Sequence, residues 1–203
     1  MGTALSLFEK HIEVIKKSGY SVVPSITQRE HQVMICFDDG WEGIYDNKDF
    51  FVKQNIFPTI FIAVSLIGTE GHLSKYQIKE LQAAGFRLQA HTWSHEDLTS
   101  FSSIELEKEL MDSKAWLQKE FNCEFNAICY PMGRFSKLVF EKSREYGYTQ
   151  QFSSIPGGYY EMEDEGLICR ICAQFSSVTE FKWMLNSTSM FFRRRLYRQQ
   201  FTK

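Results

Sequence analysis

Several features that mark common classes of protein are missing from this 203-residue sequence. It has no apolar run near the roughly 20 residues needed to span a bilayer. No basic stretch precedes a continuous apolar segment at its start, as in a secretory signal. Basic residues are not in excess, since the formal net charge is −2, so no positive field is available to hold a nucleic-acid backbone. We therefore expect a cytoplasmic protein with no nucleic-acid partner.

Cysteine is also scarce. The five cysteines form an odd, dispersed set, which argues for reduced thiols rather than a disulfide framework. Cys169 and Cys172 have the C-x-x-C spacing, but both fall inside an apolar stretch typical of a strand, whereas redox cysteines of this spacing normally start a helix. No second cysteine or histidine pair lies nearby in the sequence to complete a zinc site. We interpret both as partly buried strand cysteines.

Glycine-rich phosphate loops are absent as well, since neither G-x-G-x-x-G nor G-x-x-x-x-G-K-[ST] occurs. The chain instead alternates strand and helix patterns with short connections, which predicts a parallel α/β architecture. A chain of 203 residues with 43% hydrophobic content suits one core, so we predict a single domain over residues 1–203. The predicted strands are 33–37, 59–64, 86–90, 125–130, 148–152 and 167–173, and the predicted helices are 5–18, 43–54, 74–84, 102–121, 136–146 and 178–186.

Two polar clusters each follow an apolar run. Asp38 and Asp39 close one run, and His91 and His95, spaced i, i+4, follow another. Each pattern alone has a plainer interpretation, a turn for Asp-Asp-Gly and a solvated helix face for the histidines. Together they offer carboxylate and imidazole ligands, which suit a borderline divalent ion such as zinc. A site with three protein ligands leaves one position open for chemistry.

The positions of the polar residues also distinguish a barrel from an open sheet. Asp38, His91 and Tyr130 each stand at the C-terminal end of a different predicted strand. Active sites of parallel barrels are built at that face. We therefore favour a closed barrel.

Three short motifs carry a resemblance to a known family. Phe37-Asp-Asp-Gly40, His91-Thr-Trp-Ser-His95 and Tyr130-Pro-Met-Gly133 resemble, in order and spacing, the first three motifs of the polysaccharide deacetylases, the NodB-homology carbohydrate esterases. The resemblance implies a distorted (β/α) barrel of about seven parallel strands, similar to a TIM barrel. It also implies metal-dependent hydrolysis of an N-acyl group, acetyl or formyl, from an amino sugar or from a polysaccharide or glycolipid precursor.

The resemblance further implies roles for individual residues. Asp39, His91 and His95 match the family's metal ligands and Asp38 matches the general base, although sequence alone does not say which aspartate takes which role. The expected metal is Zn²⁺, with Co²⁺, Ni²⁺ or Fe²⁺ as possible substitutes. A metal lowers the pKa of water and polarises the amide carbonyl, while a free carboxylate beside it accepts a proton. Met132 would supply a backbone N–H to the oxyanion.

The expected partner is an N-acylated sugar, and four residues are candidates for binding it. Tyr130 and Pro131 of the third motif would line the groove. Trp41 and Trp93 would offer aromatic surface to the apolar face of a pyranose ring. For each tryptophan, a plain core position is an equal alternative.

The chain departs from the family pattern in its general acid and in the partner of its base. Cys129 stands where many members carry an arginine that tunes the base. No histidine follows His95, although the family usually supplies a late histidine as general acid, and the family's aspartate–tryptophan motif is missing too. Three explanations stay open. Asp38 returns its proton to the leaving amine, His72 or Glu96 acts as the acid, or the protein is a catalytically impaired relative that binds metal and carbohydrate.

The C-terminal tail, residues 190–203, is basic and interleaved with aromatic residues in Phe191-Phe-Arg-Arg-Arg-Leu-Tyr-Arg198. Such a segment can lie on an anionic membrane surface. One short basic segment binds weakly, so we favour a solvated terminus over a peripheral membrane contact. A cytoplasmic location would make a nucleotide-linked or lipid-linked sugar the substrate, for example in surface-polysaccharide biosynthesis.

Overall fold

A computed structural model describes residues 3–160, 162 and 166–186. Its main sheet has six parallel strands that follow one another in chain order, beside a separate pair of parallel strands. This confirms the predicted barrel-like α/β architecture, although the described residues form a curled half-barrel of six strands, not a closed barrel of about seven. The strands are β1 (Ser21–Val22), β2 (Gln32–Val33), β3 (Cys36–Phe37), β4 (Thr59–Ile62), β5 (Arg87–Ala90), β6 (Ala127–Cys129), β7 (Gln150–Phe152) and β8 (Leu167–Ile168).

The helices lie in the connections between the strands, as the alternating pattern predicts. Serine residues with capping boxes begin two of them, Ser74 before α4 and Ser102 before α5. A π-helical segment, Glu107–Asp112, joins α5 to α6. The helices are α1 (Leu5–Lys17), α2 (Gly43–Asp46), α3 (Lys48–Gln54), α4 (Lys75–Ala83), α5 (Ser103–Leu106), α6 (Ser113–Phe121), α7 (Lys137–Glu145) and α8 (Val178–Asn186).

All six predicted strands are longer than the strands that the structure forms, and two of them differ most. The run 33–37 divides because Val33 pairs with β1, whereas the Ile35 carbonyl already accepts from Thr59 at the start of β4. The run 167–173 forms a strand only at Leu167–Ile168. Cys169 therefore lies just beyond β8 and is buried, and Cys172 is exposed, so the interpretation of both as strand cysteines is wrong. Neither cysteine forms a disulfide within the described residues.

The pleat of the main sheet separates two apolar clusters. Alternate residues such as Ile60, Leu88 and Ile128 pack against the helices in the large outer core. The residues between them point to the opposite face and form a small cluster inside the curled sheet. Its buried members are Phe61, Ala127, Cys129, Phe152 and Ile168, with Met34, Cys36 and Tyr159 packed against it.

The curled sheet has β3 and β8 as its edge strands. Within the described residues, an ion pair links these edges, because Arg170 after β8 reaches Asp38 after β3. All six strands run the same way, so the segments after β3, β5, β6 and β8 meet at one end of the half-barrel. That end holds the predicted site residues.

Among the described helices, none has the length and apolar character needed to cross a membrane. The predicted basic tail, residues 190–203, lies outside the described residues.

Candidate metal and catalytic centre

The turn after β3 and the loop after β5 bring together the three predicted ligands. Asp39 Oδ1 lies 3.2 Å from His91 Nε2 and 2.9 Å from His95 Nε2. One ligand atom from each of these residues lies within 4.8 Å of the others. Asp39 and His95 have φ values of 68° and 63°, a left-handed conformation that few non-glycine residues adopt. Both loops therefore hold strained backbone at the point where the ligands converge.

The hydrogen bonding of His91 tests whether this donor set fits a metal ion. The residue is 1% exposed, and its Nδ1 lies 2.6 Å from the carbonyl oxygen of Cys129. A carbonyl only accepts, so Nδ1 carries the proton and a neutral ring turns the lone pair of Nε2 toward Asp39 Oδ1. Two acceptors at this distance need a cation between them, either a second proton or a metal ion. Imidazole fixed by a carbonyl on its other nitrogen is the usual arrangement of metal-binding histidine.

The electrostatics of Asp39 and His95 favour positive charge beside the Asp39 carboxylate. Burial acts to raise the pKa of Asp39, but hydrogen bonds and charge from His91 and His95 outweigh it and hold that pKa well below its usual range. The hydrogen bond to Asp39 raises the pKa of His95. Trp41 Nε1 donates to the second oxygen, Asp39 Oδ2, at 3.1 Å. This bond fixes the carboxylate so that Oδ1 faces both imidazoles.

Asp38 points into the half-barrel and pairs with Arg170. The guanidinium donates from Nη1 to Oδ1 at 2.7 Å and from Nη2 to Oδ2 at 2.8 Å. Burial acts to raise the pKa of Asp38, but the charge and hydrogen bonds of Arg170 outweigh it and lower that pKa. A bidentate contact also fixes the plane of the carboxylate. Asp38 is thus held ionised in one orientation beside the predicted metal ligands.

Two further contacts hold Arg170 itself. Its Nε donates to the Ser153 carbonyl at 2.9 Å, and Nη2 lies 3.0 Å from Cys129 Sγ. Burial raises the pKa of the Cys129 thiol well above its usual value, so the sulfur stays protonated. The arginine missing from the Cys129 position is therefore supplied from the end of β8, and its side chain contacts that cysteine.

Arg170 was missed at the sequence level, although a signal for it exists. It is the only charged residue in the apolar stretch 167–173, and a charge placed in an apolar strand pattern needs a partner. The C-x-x-C spacing of the same stretch indicates a role for the two cysteines and not for the arginine between them. The partner, Asp38, is 132 residues away in the sequence, and no local pattern joins the two.

The third motif is placed differently from the prediction. Tyr130 is fully buried, its hydroxyl contacts Ser143 and Gln151, and its ring stacks on Phe135. Its side chain points to the helices and cannot line a groove, because residue 130 falls on the outer side of the pleat. Pro131 is buried as well. The expectation that Tyr130 and Pro131 present side chains to a sugar is therefore wrong.

Met132 and the buried Gly133 form the turn of this motif. Met132 is 53% exposed with a φ of 57°. Gly133 has a φ of 69°, and a Cβ there would lie 2.6 Å from the backbone nitrogen of Ser154. Only glycine fits this turn, since both the conformation and the space exclude a side chain. The tight turn fixes the backbone at Met132, the residue predicted to offer its N–H.

The two predicted tryptophans occupy different environments. Trp41 is 42% exposed, and its ring stacks on His72 with centroids 4.3 Å apart. Trp93 is partly buried and packs edge-to-face on Trp116 of α6. The exposed Trp41 and the partly buried His72 thus form an aromatic pair joined through Asp39 to the ligand set. Trp93 instead packs against the helical layer.

Comparisons with known proteins agree with this geometry. A family model described as polysaccharide deacetylase matches residues 25–151. YxkH of Bacillus subtilis (strain 168) is 28% identical over 171 residues, which cover 79% of this chain and 61% of YxkH. The peptidoglycan-N-acetylmuramic acid deacetylase PdaA of the same organism is 27% identical over 133 residues, 63% of this chain and 48% of PdaA. The chain thus spans about half to three-fifths of these relatives.

Solved structures show the same fold. The Streptococcus pyogenes deacetylase PplD, in complex with acetate, superposes with a TM-score of 0.77 at 22% identity. The match covers 90% of this chain and 87% of that structure. The family model spans more than half of the sequence and includes all three motifs. This chain therefore belongs to the polysaccharide deacetylase family.

Proposed function

We propose that this protein is a metal-dependent hydrolase that cleaves the N-acyl group of an amino sugar with water, releasing the free amine and a carboxylic acid. The observation that carries the proposal is the meeting of Asp39, His91 and His95 with an arginine-paired Asp38 at one end of the half-barrel. An acetyl group is the first choice of acyl group, because PplD carries acetate and PdaA is named a deacetylase. A sugar within a polysaccharide or glycolipid precursor is the proposed substrate.

Asp39, His91 and His95 would hold the divalent cation through one carboxylate oxygen and two Nε2 atoms. This mixed set suits Zn²⁺ first, and Co²⁺, Ni²⁺ or Fe²⁺ also accept it. When bound, such a cation polarises the amide carbonyl and makes water more acidic. The protein contributes fixed ligand positions, because Trp41 orients Asp39 and the Cys129 carbonyl orients His91.

Asp38 would act as the general base. Arg170 donates to one lone pair on each carboxylate oxygen of Asp38. Asp38 Oδ1 keeps another lone pair that can accept a proton from the attacking water. Once protonated beside a guanidinium, the carboxyl is a stronger acid than an ordinary carboxyl, because the nearby positive charge favours loss of the proton. Asp38 can then deliver that proton to the leaving amine. This shuttle requires no late histidine.

His72 is the second candidate for the proton donor. It stacks on Trp41, and His72 and Asp39 line the same small pocket. Its Nδ1 contacts Thr69 Oγ1 and the Glu70 carbonyl at 3.0 and 3.1 Å. These contacts orient the ring and leave Nε2 as the nitrogen that would face a substrate. Glu96, the other alternative, is exposed.

Residues at the same end of the half-barrel would contact the substrate. The N–H of Met132, on its fixed turn, would donate to the oxygen of the cleaved carbonyl. Trp41, with His72 stacked on it, offers a flat surface to the apolar face of a sugar ring. The buried positions of Tyr130 and Pro131 leave Trp41 as the main aromatic contact proposed.

The decisive experiment measures metal content together with acyl release from N-acetylated sugars and oligosaccharides. Wild type should bind one equivalent of metal and release acetate. Asp38→Asn should keep the metal and lose turnover by at least about 100-fold, the usual contribution of a general base. Equal turnover in this variant would remove Asp38 from the mechanism.

A second candidate function is an impaired relative that binds metal and carbohydrate. The absence of any histidine after His95 favours it. The retained pairing of Asp38 with Arg170 favours an enzyme, because binding alone requires no oriented base. Stoichiometric metal and sugar binding without acyl release from any tested substrate would support the binding protein.

A further inference from the structure

One buried carboxylate lies behind the loop that carries both histidines. Glu109 is 4% exposed, and its Oε2 accepts from the backbone nitrogens of Trp93 and Ser94, each at 2.9 Å. These two residues stand between His91 and His95. A single oxygen of Glu109 therefore fixes two of the four peptide units that join the proposed ligands.

The loop needs such an anchor because its backbone is strained. Thr92 and His95 have φ values of 70° and 63°, and left-handed residues without glycine persist only where their surroundings hold them. Other anchors act on the carbonyl side, where Thr92 and Trp93 accept from the backbone nitrogens of Val64 and Ser65. On the N–H side, Thr92 Oγ1 accepts from the backbone nitrogen of His95 at 3.2 Å, and Glu109 accepts from the two nitrogens before it.

The π-helical segment Glu107–Asp112 is what presents Glu109 to the loop. A π-helical turn inserts one residue relative to an α-helix and so rotates the side chains that follow, and such turns are frequent at functional sites. The local sequence supports the segment. Ser113 Oγ donates to the Glu109 carbonyl, and the buried Tyr148 hydroxyl donates to the Leu110 carbonyl at 2.9 Å.

We infer that Glu109 is a positioning residue for the metal centre, which sets the separation and direction of His91 and His95 by holding the two peptide nitrogens between them. The inference rests on the proposed metal-dependent function and on the ligand set Asp39, His91 and His95. Glu109 itself binds no metal in this scheme. Its carboxylate acts through the position of one oxygen.

Two conservative substitutions separate the position of that oxygen from its charge. Glu109→Gln removes the charge and keeps an oxygen that can accept from both nitrogens, whereas Glu109→Asp keeps the charge and retracts the oxygen by one carbon–carbon bond. Glu107→Gln, on the exposed side of the same segment, is the matched control. Each variant of the 203-residue chain is stripped of metal and titrated with Co²⁺. Calorimetry and the visible absorption of the bound ion both measure the binding.

Glu109→Asp should bind Co²⁺ about tenfold more weakly, as expected when the support of a metal ligand is moved, with an altered absorption spectrum. Glu109→Gln and Glu107→Gln should bind close to wild type. A role in folding alone would lower the melting temperature of metal-free Glu109→Asp without changing its Co²⁺ affinity, and that result overturns the inference. Equal weakening in both Glu109 variants would assign the effect to charge and also overturn it.

Failure of the proposed function gives a different result. Wild type that binds no Co²⁺ would overturn the ligand set and with it the role of Glu109. Wild type that binds Co²⁺, together with unchanged binding in Glu109→Asp, would overturn only the role of Glu109. The two failures are therefore distinguishable from the same titrations.

Discussion

Replacement of Arg170 by methionine is the sharpest test of how the half-barrel is closed and its base prepared. The substitution removes a bidentate ion pair whose side chains are 17% (Arg170) and 32% (Asp38) exposed, and it leaves Asp38 without its countercharge. Removing one partner of a buried pair costs about 3–5 kcal/mol of the free energy of unfolding. Partial access of water to Asp38 places the expected loss near the lower bound, about 3 kcal/mol.

Protonation of Asp38 in the variant would not reduce this loss of stability at neutral pH. With an ordinary pKa of 3.8, protonating the carboxyl at pH 7 costs about 4 kcal/mol at 1.36 kcal/mol per unit. A loss of about 3 kcal/mol lowers the melting temperature of a chain of this length by about 6–12 °C. Urea unfolding of the metal-free protein measures the free energy, so that metal binding does not contribute.

The loss should depend on pH in a defined direction. Arg170 lowers the pKa of Asp38 in the folded protein, so the pair stabilises the fold fully above about pH 4. That stability disappears as the pH falls through the folded pKa of Asp38. The difference between wild type and Arg170→Met should therefore shrink below about pH 4. Activity should respond too, since a raised pKa of the base moves the acid limb of the pH–rate profile to higher pH.

Arg144→Met is the matched control for this substitution. Arg144 lies exposed on α7 with its guanidinium 5.8 Å from the centroid of the Phe140 ring. Its replacement should change the free energy of unfolding by no more than about 0.5 kcal/mol. If Arg170→Met costs no more than this control and keeps the wild-type pH–rate profile, the reasoning about Asp38 and Arg170 is refuted.

Three other expectations follow from the same site. Gly133→Ala should lose at least about 2 kcal/mol in unfolding assays, since its Cβ would meet the Ser154 backbone. Gly19 has a positive φ and open space around it, so Gly19→Ala should reduce the free energy of unfolding only by the cost of left-handed backbone, about 1–2 kcal/mol. Equal losses of stability in the two variants would contradict the predicted clash at residue 133. His72→Gln should keep its metal and retain turnover within about tenfold if Asp38 shuttles the proton, whereas a drop of about 100-fold or more would make His72 the acid. In metal-free protein, the Asp39 carboxylate raises the pKa of His95. The contribution of the His95–Asp39 pair to stability is therefore complete below about pH 6.5 and declines as the pH rises through the raised pKa. An unchanged melting temperature between pH 6 and 9 would contradict the pairing of His95 with Asp39.

The order of the helices and of the six strands in the main sheet was predictable because it is a local property, whereas β1 was not predicted. Apolar runs with period 2 or 3.6, Ser74 as a cap and Gly85 as a stop place the elements to within a few residues. The strand boundaries at 33–37 and 167–173 were not predictable in the same way. Hydrogen bonding between distant segments decides where those strands end, and an apolar pattern does not record it.

The candidate ligands were also predictable, because each motif is a short segment placed directly after a strand. A parallel arrangement delivers such segments to one end of the sheet. The direction of Tyr130 was not predictable from the motif. One step of the pleat decides whether a residue faces the interior or the helices, and it places Cys129 inside and Tyr130 outside.

The sequence by itself determined the class of fold, the acidic pair Asp38 and Asp39, and the histidines that follow β5, because these depend on composition and on neighbours along the chain. Only the tertiary structure decided that Arg170 pairs with Asp38 and that Glu109 supports the loop between the histidines. Both contacts join residues far apart in sequence, and they form only when the curled sheet brings its edge strands and its helical layer together. Charges buried by folding select their partners by position in space, which no pattern of sequence neighbours specifies.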